Sequence, residues 1–373
     1  MVSKTARLGD LATYVNGYAF KPSDWGDTGL PIIRIQDLTG NSYQLNRYEG
    51  EYPARIEVND GDVLISWSAS LGVYVWQRGK ALLNQHIFKV VFDKLPVDKD
   101  YFVFAVEHKL AEMESKTHGA TMKHIVKKDF DSTIIPYPAI AEQQEIAERL
   151  RRVTALIEKQ QEQLRLLDQL VKSRFIELFG DPQVNPNGYH QVKLPEVAVY
   201  FNGLTYKPEN VSDEGTIVLR SSNIQDSQLD FADTVRVNCA VRERLIVQEN
   251  DILMCSRNGS ARLVGKVALI KNTQEPMSFG AFMMIIRSRY YSYLMTYFQM
   301  DAFRQQIKTG ATTTINQITG RMLDDVIIPL PPMTLVEQFA AFVEQTDKSK
   351  LAVQQGLREL EILKKSLMQQ YFG

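Results

Sequence analysis

Cysteine is nearly absent: Cys239 and Cys255 are the two in a chain of 373 residues. Their spacing builds neither a metal-ligand set nor a disulfide framework, so neutral, buried cytosolic thiols are expected. The chain has no GxxxxGK phosphate loop and no GxGxxG after an expected strand. A GxSxG nucleophile elbow and an HExxH zinc helix are also missing. The five histidines, at 86, 108, 118, 124 and 190, are scattered. Methyl transfer to adenine calls for an Asn/Asp-Pro-Pro-aromatic site, which Asp-Pro-Gln at 181–183 and Asn-Pro-Asn-Gly at 185–188 do not supply. No apolar run reaches signal-peptide or transmembrane length, so a cytoplasmic protein with no membrane partner is expected. The chain reads as a non-enzyme without a metal or cofactor of its own.

An excess of either charge is missing as well. Lys and Arg number 43 against 44 Asp and Glu, for a net charge of −1. That excludes a histone-like binder, but not a protein that reads DNA through a few local contacts while partners supply the larger electrostatic grip. With 44% hydrophobic and 23% charged residues, the composition is that of a globular protein. Its length calls for at least two domains.

What the chain does contain is an internal duplication. Tyr-Val-Asn-Gly-Tyr-Ala-Phe-Lys-Pro at 14–22 returns as Tyr-Phe-Asn-Gly-Leu-Thr-Tyr-Lys-Pro at 200–208, five of nine positions being identical. Gly-Asp-Val-Leu-Ile-Ser at 61–66 returns as Asn-Asp-Ile-Leu-Met-Cys at 250–255. Gly-Ala-Thr recurs at 119–121 and 310–312, and Ile-Ile-Pro-x-Pro at 134–138 and 327–331. A Glu-Gln pair follows each Pro-x-Pro, as Glu142-Gln143 and Glu337-Gln338. The order is the same in both halves.

Each half then ends in a helical pattern. In residues 139–180, Ile146, Leu150, Val153, Ile157, Gln160, Leu164, Leu167, Val171 and Leu178 alternate steps of four and three until the last, a heptad seam with one polar position. At ~1.5 Å per residue this predicts a rod of roughly 60 Å. Phe339, Phe342, Thr346, Ser349, Val353, Leu360, Leu363 and Leu367 mark a second seam, interrupted by Gly356. Both stretches close on Leu-x-Lys-Ser-x5-Phe-Gly at one constant offset. Two similar halves related by a pseudo-twofold axis pair their helices antiparallel, which sets Gln160 opposite the Gly356 region.

The remainder of each half reads as strands and one helix. Strands are expected at 31–35, 62–66, 73–76 and 86–92, then at 216–220, 251–255, 265–270 and 282–287. Helices are expected at 100–114 and near 290–308. The fold class is α+β, with globular parts at 1–138 and, after a Pro- and Gly-rich linker, 181–332. Long helices fill 139–180 and 333–373.

The Leu-Gly-Asp-Leu opening at 8–11, the duplicated blocks, the Phe-Gly-Asp-Pro linker at 179–182 and the two seams together resemble the specificity subunits of type I restriction–modification enzymes. The resemblance covers the whole chain. It implies two target recognition domains, separated by two long helices packed as an antiparallel coiled coil. It also implies double-stranded DNA as ligand, two docked modification subunits and joining restriction subunits. S-adenosylmethionine, ATP and Mg then belong to those partners, which carry out adenine methylation or cleavage. Readers held about one turn of B-DNA apart (~34–36 Å) would take a bipartite target with an unread spacer. The halves differ between their shared blocks, so the target is expected to be non-palindromic. A coiled-coil protein scaffold without DNA reading is the competing expectation.

Base reading needs polar side chains on loops that enter a groove. Lys21 and Lys207, each before a proline, are phosphate contacts or solvated lysines. Arg34, Gln36 and Asp37, with Arg220, Ser222 and Asn223, end a strand, where an arginine reads a base or serves as a salt-bridge partner. Ser66, Ser68 and Ser70, with Arg257, Asn258 and Ser260, follow the clearest strand of each half; Trp67 is expected to pack beneath its loop. Arg257 and Asn258 carry the donor sets for guanine and adenine edges. Thr121, Lys123 and His124 match Thr312, Thr313, Thr314 and Asn316, in a loop that contacts DNA or forms a plain turn.

Overall fold

A computed structural model describes residues 4–40, 45–116, 125–271, 273–307 and 316–373. The chain forms two compact units, Met1–Glu162 with Gln354–Gly373, and Gln163–Val353.

In the first unit an antiparallel sheet runs in the order Thr13–Asn16, Ile87–Val91, Val63–Ser66, Gly72–Val75. Its central strand is buried on both faces, with Val63 and Ile65 in one core and Leu64 in another, as the period-two geometry of a strand dictates. A second sheet runs Arg47–Tyr48, Leu30–Ile33, Ala81–Leu83, Glu57–Val58, and its middle pair is parallel. The second unit repeats the first sheet as Val199–Asn202, Met283–Arg287, Ile252–Cys255, Val267–Leu269. It repeats the parallel pair as Thr216–Leu219 beside Met277–Phe279.

The repeated Asn-Gly marks where the two sheets of each unit touch. A Cβ at Gly17 would lie 1.9 Å from the Asn84 carbonyl oxygen, and one at Gly203 would lie 2.2 Å from that of Phe279. Only glycine allows that approach, after which Tyr18 N donates to Leu83 O at 2.8 Å and Leu204 N to Phe279 O at 2.7 Å.

The helix expected near 290–308 is two, Tyr291–Tyr297 and Asp301–Gln306. Met300 is extended, and Asp301 starts the second helix, where a carboxylate favours an N-terminus. The expected helix at 100–114 is Lys99–Lys116.

Ile140–Phe179 and Met333–Phe372 are helices of 40 residues each. In the first unit Ile146, Ala147 and Leu150 share a core with Met368 and Phe372, so the start of one helix lies beside the end of the other. The second unit shows the same antiparallel arrangement, with Phe339 ring centroids 5.7 Å from Phe175 and 5.4 Å from Phe179. Along the first helix Ile146, Leu150 and Val153 are buried, and Ile157, Leu164, Leu167 and Val171 are half-buried. On the second helix Phe339, Thr346 and Val353 are buried, and Phe342, Leu360 and Leu367 are half-buried.

Two seam positions differ from expectation. Leu363 is 45% exposed and Ser349 faces solvent. Their neighbours take the seam: Lys364 lies over the Phe104 ring and pairs with Glu107 at 3.1 Å, and Lys350 pairs with Asp168 at 2.6 Å. A lysine stem covers apolar surface while its ammonium reaches a carboxylate.

Gln160 faces Gly356, where an added Cβ would sit 3.5 Å from its Nε2. The Gln160 Oε1 is buried without a hydrogen-bond partner among the described residues, and an unmet acceptor costs ~1–3 kcal/mol. Gln160→Leu is therefore expected to stabilise the first unit by about 1 kcal/mol in urea unfolding. A loss of stability in that measurement would show that Gln160 fits the notch better than leucine does.

Candidate nucleic-acid interface

In the second unit the strand Ile252–Cys255 delivers Ser256, Arg257 and Asn258 to one corner. Ser256 is buried, and both its amide and its hydroxyl donate to the Phe282 carbonyl at 3.0 Å. Arg257 and Asn258 then pair with Asn316–Gln317 in a short antiparallel ladder. Asn258 Nδ2 donates to Ser221 Oγ at 3.3 Å, and its Oδ1 accepts from Ser260 N at 3.0 Å. Thr216–Leu219, a strand of the unit's other sheet, delivers Arg220 to the same corner. Its guanidinium meets Asp233 at 2.7 Å. Arg220, Ser222, Arg257 and Asn258 together line an open cleft of about 870 Å³.

Leu204, Tyr206 and Phe282 line that cleft as well. They were not singled out by the sequence, because apolar residues beside strands read as core. The clue for Phe282 was its place at the very edge of an apolar run. Burial pushes the neighbouring Cys255 thiol up, which keeps it neutral.

The other expected readers of this unit are elsewhere. Asn223 is a correction: it is 1% exposed, its Oδ1 accepts from Arg220 N at 2.8 Å, and its Nδ2 donates to the Asp230 and Asp233 carbonyls at 2.8 and 3.0 Å. With those bonds made, its amide shapes the corner instead of facing a groove. Lys207 and Ser260 are exposed outside the cleft, Lys207 lying 3.6 Å from Glu209. Asn316 Nδ2 donates to Gly259 O at 3.3 Å. Thr312, Thr313 and Thr314 lie outside the described residues.

The first unit builds the same corner with other side chains. Asp37 caps its short helix as Asn223 does, accepting from Arg34 N at 2.8 Å. Asp37 is charged and buried, however, so it also takes the Arg34 guanidinium at 3.2 Å, leaving the Arg34 side chain 15% exposed. Arg34 further lies over Trp25, 5.8 Å from the ring centroid. Arg34 is thus a salt-bridge partner, which corrects the reading of it as a free base reader; Gln36 beside it is exposed.

Ser66 is the third correction. It ends the strand Val63–Ser66 fully buried, with its hydroxyl donating to the Ser70 carbonyl. Ser68 is half-buried, and Ser70 and Lys21 are exposed. Trp67 packs on Phe88 at a centroid distance of 5.5 Å. Thr121, Lys123 and His124 lie outside the described residues. Among the described residues, no group of three His, Cys, Asp or Glu is placed to hold a metal, and no helix is long and apolar enough to cross a membrane.

A family model described as type I restriction modification DNA specificity domain matches residues 3–166 and 186–361. The chain is 23% identical over 411 residues to the type I restriction enzyme EcoBI specificity subunit of Escherichia coli, covering 98% of this chain and 84% of that one. It is 22% identical over 390 residues to the type I restriction enzyme MjaVIII specificity subunit of Methanocaldococcus jannaschii, covering 98% and 91%. Among solved structures, the S subunit of a type I restriction-modification system from M. genitalium aligns with a TM-score of 0.55 at 14% identity, covering 99% of this chain and 96% of that one. A chain from a structure of the type I R-M system's assembly and conformational transition gives 0.53 at 17% identity, covering 100% and 98%. At such identities the two structures establish likeness of fold.

Proposed function

The chain belongs to the type I restriction modification DNA specificity family, and from that premise we propose that its two units read the two different halves of one bipartite DNA target. It is a non-catalytic component: the catalytic work of such systems lies in other subunits. In this reading the long helices pair as a coiled-coil spacer, and two modification subunits dock on the chain. Restriction subunits join them for cleavage. S-adenosylmethionine, ATP and Mg are bound by those partners, which methylate adenine or cut, in the cytoplasm.

The observation that carries the reading is the convergence of Arg220, Ser222, Arg257 and Asn258 on one cleft. Guanidinium and amide groups there match the acceptor and donor edges that a major groove presents. The same corner of the first unit holds Ser68 where the second holds Arg257, and ties Arg34 to Asp37. Corners that differ in this way favour half-sites that differ, hence a non-palindromic target.

Selection from random DNA duplexes by the full chain, assembled with its modification subunits, tests this. One split target should emerge, and Arg257→Ala should lower affinity for it by ~1–3 kcal/mol while relaxing one base pair. Equal weakening on all sequences would make Arg257 a phosphate contact. No preferred sequence from the unaltered complex would favour a protein scaffold instead.

A further inference from the structure

Phe282 is the most conspicuous unexplained side chain at the cleft. It is 59% exposed, yet its backbone is firmly held. Its carbonyl oxygen accepts from Ser256 N, Arg257 N and Ser256 Oγ at 3.0, 3.1 and 3.0 Å. The next residue, Met283, enters the core strand at 1% exposure. A ring in such a setting projects from a fixed base.

The Arg257 guanidinium carbon lies 5.3 Å from the centroid of that ring. Arg257 is exposed, and among the described residues it has no carboxylate partner. Other arginines of the unit contrast with it: Arg220, Arg236 and Arg287 pair with Asp233, Glu275 and Asp251. Stacking is thus the interaction that orients Arg257. A guanidinium resting on an aromatic face keeps its donors free at its edge, and prior orientation lowers the ordering cost of binding.

We propose that Phe282 is a positioning residue for DNA reading, a platform that aims the Arg257 fork at one guanine edge in the cleft. This rests on the DNA-reading role proposed above. The platform is private to one half: the matching positions of the first unit are His86 and Ser68, and His86 stacks edge-on to Trp67 at 5.0 Å. Its loss is therefore felt in one half-site alone.

The test is duplex selection with the assembled complex carrying Phe282→Ala, Phe282→Leu, Phe282→Tyr, Arg257→Ala, or the alanine pair. Phe282→Ala is expected to relax the same base pair as Arg257→Ala, with affinity for the selected target falling on the order of tenfold. The double variant should be no worse than Arg257→Ala, since both remove one interaction. Phe282→Tyr retains the ring and should retain the preference, whereas Phe282→Leu retains only apolar bulk and should behave as alanine. Because the side chain is exposed, all variants should unfold at the temperature of the unaltered chain. An unchanged preference in Phe282→Ala, a change at another base pair, additive losses, or rescue by leucine would each overturn the platform. A complex without any sequence preference would overturn DNA reading itself, and the platform with it.

Discussion

Phe372→Ala is expected to destabilise the unit formed by Met1–Glu162 and Gln354–Gly373 by ~3–5 kcal/mol, the usual cost of emptying a buried phenylalanine site. Phe372 is fully buried in the same core as Ile146, Ala147 and Leu150. Its ring lies 5.2 Å from that of Tyr101, whose hydroxyl donates to the Pro136 carbonyl at 2.8 Å. The last turn of one long helix is thereby fastened to the Pro-x-Pro that launches the other. Phe179 makes the equivalent contact in Gln163–Val353: its ring is 5.1 Å from Tyr293, which donates to the Pro329 carbonyl at 2.9 Å. Burial pushes both tyrosine hydroxyls well above their ordinary range, so each stays a donor. Hydrogen exchange at the strand pair Thr5–Arg7 and Ile134–Pro136 should accelerate in Phe372→Ala. The pair Gln191–Lys193 and Ile327–Pro329 should remain protected. Equal acceleration at both pairs would show that the anchor is not local.

The shared Phe-Gly ending was legible in the sequence as a repeat, but its purpose was not, because the partner tyrosines lie far away in the chain. Helical seams were legible for a physical reason: period and composition act within a few turns. Where the seam misplaced Leu363, the cause was equally physical. Hydropathy ranks leucine above lysine, whereas the Lys364 stem covers Phe104 and its ammonium finds Glu107. The strands Val63–Ser66 and Ile252–Cys255 stood out as apolar runs. Ala81–Leu83 and Met277–Phe279 did not, being three residues long and buried on both faces, which removes the alternation that marks a strand. At the candidate site, polarity located the corner but could not sort its members. Ser66 and Asn223 spend their polar atoms on their own backbone neighbourhood, Arg257 leaves its own exposed, and nothing local in the sequence separates these cases. Gln143 is a similar case: in the repeated Glu-Gln it is fully buried, accepting from Asp98 N and donating to Pro138 O, both at 2.9 Å.

Arg287→Met should destabilise Gln163–Val353 by about 3 kcal/mol, for the opposite reason to a cavity: it strands a charge. Asp251 is 1% exposed and accepts from Arg287 Nε and Nη2, both at 2.7 Å, in a two-pronged pair. It also takes Gln248 N at 2.8 Å, closing the turn before the strand Ile252–Cys255. Methionine fills much of the arginine volume and keeps contact with Phe201, over which the guanidinium now lies at 5.7 Å. What it cannot do is neutralise a carboxylate that water does not reach. The arginine side chain is 30% exposed, which sets the expectation at the low end of the ~3–5 kcal/mol seen when one member of a buried pair is removed. Adding Asp251→Asn keeps an acceptor for Gln248 N and removes the charge, so the double variant should regain most of the loss. Urea unfolding of both variants decides the matter. If the double variant were as unstable as Arg287→Met, the pair would owe its worth to arginine packing, and charge compensation at the base of the Arg257 strand would play no part.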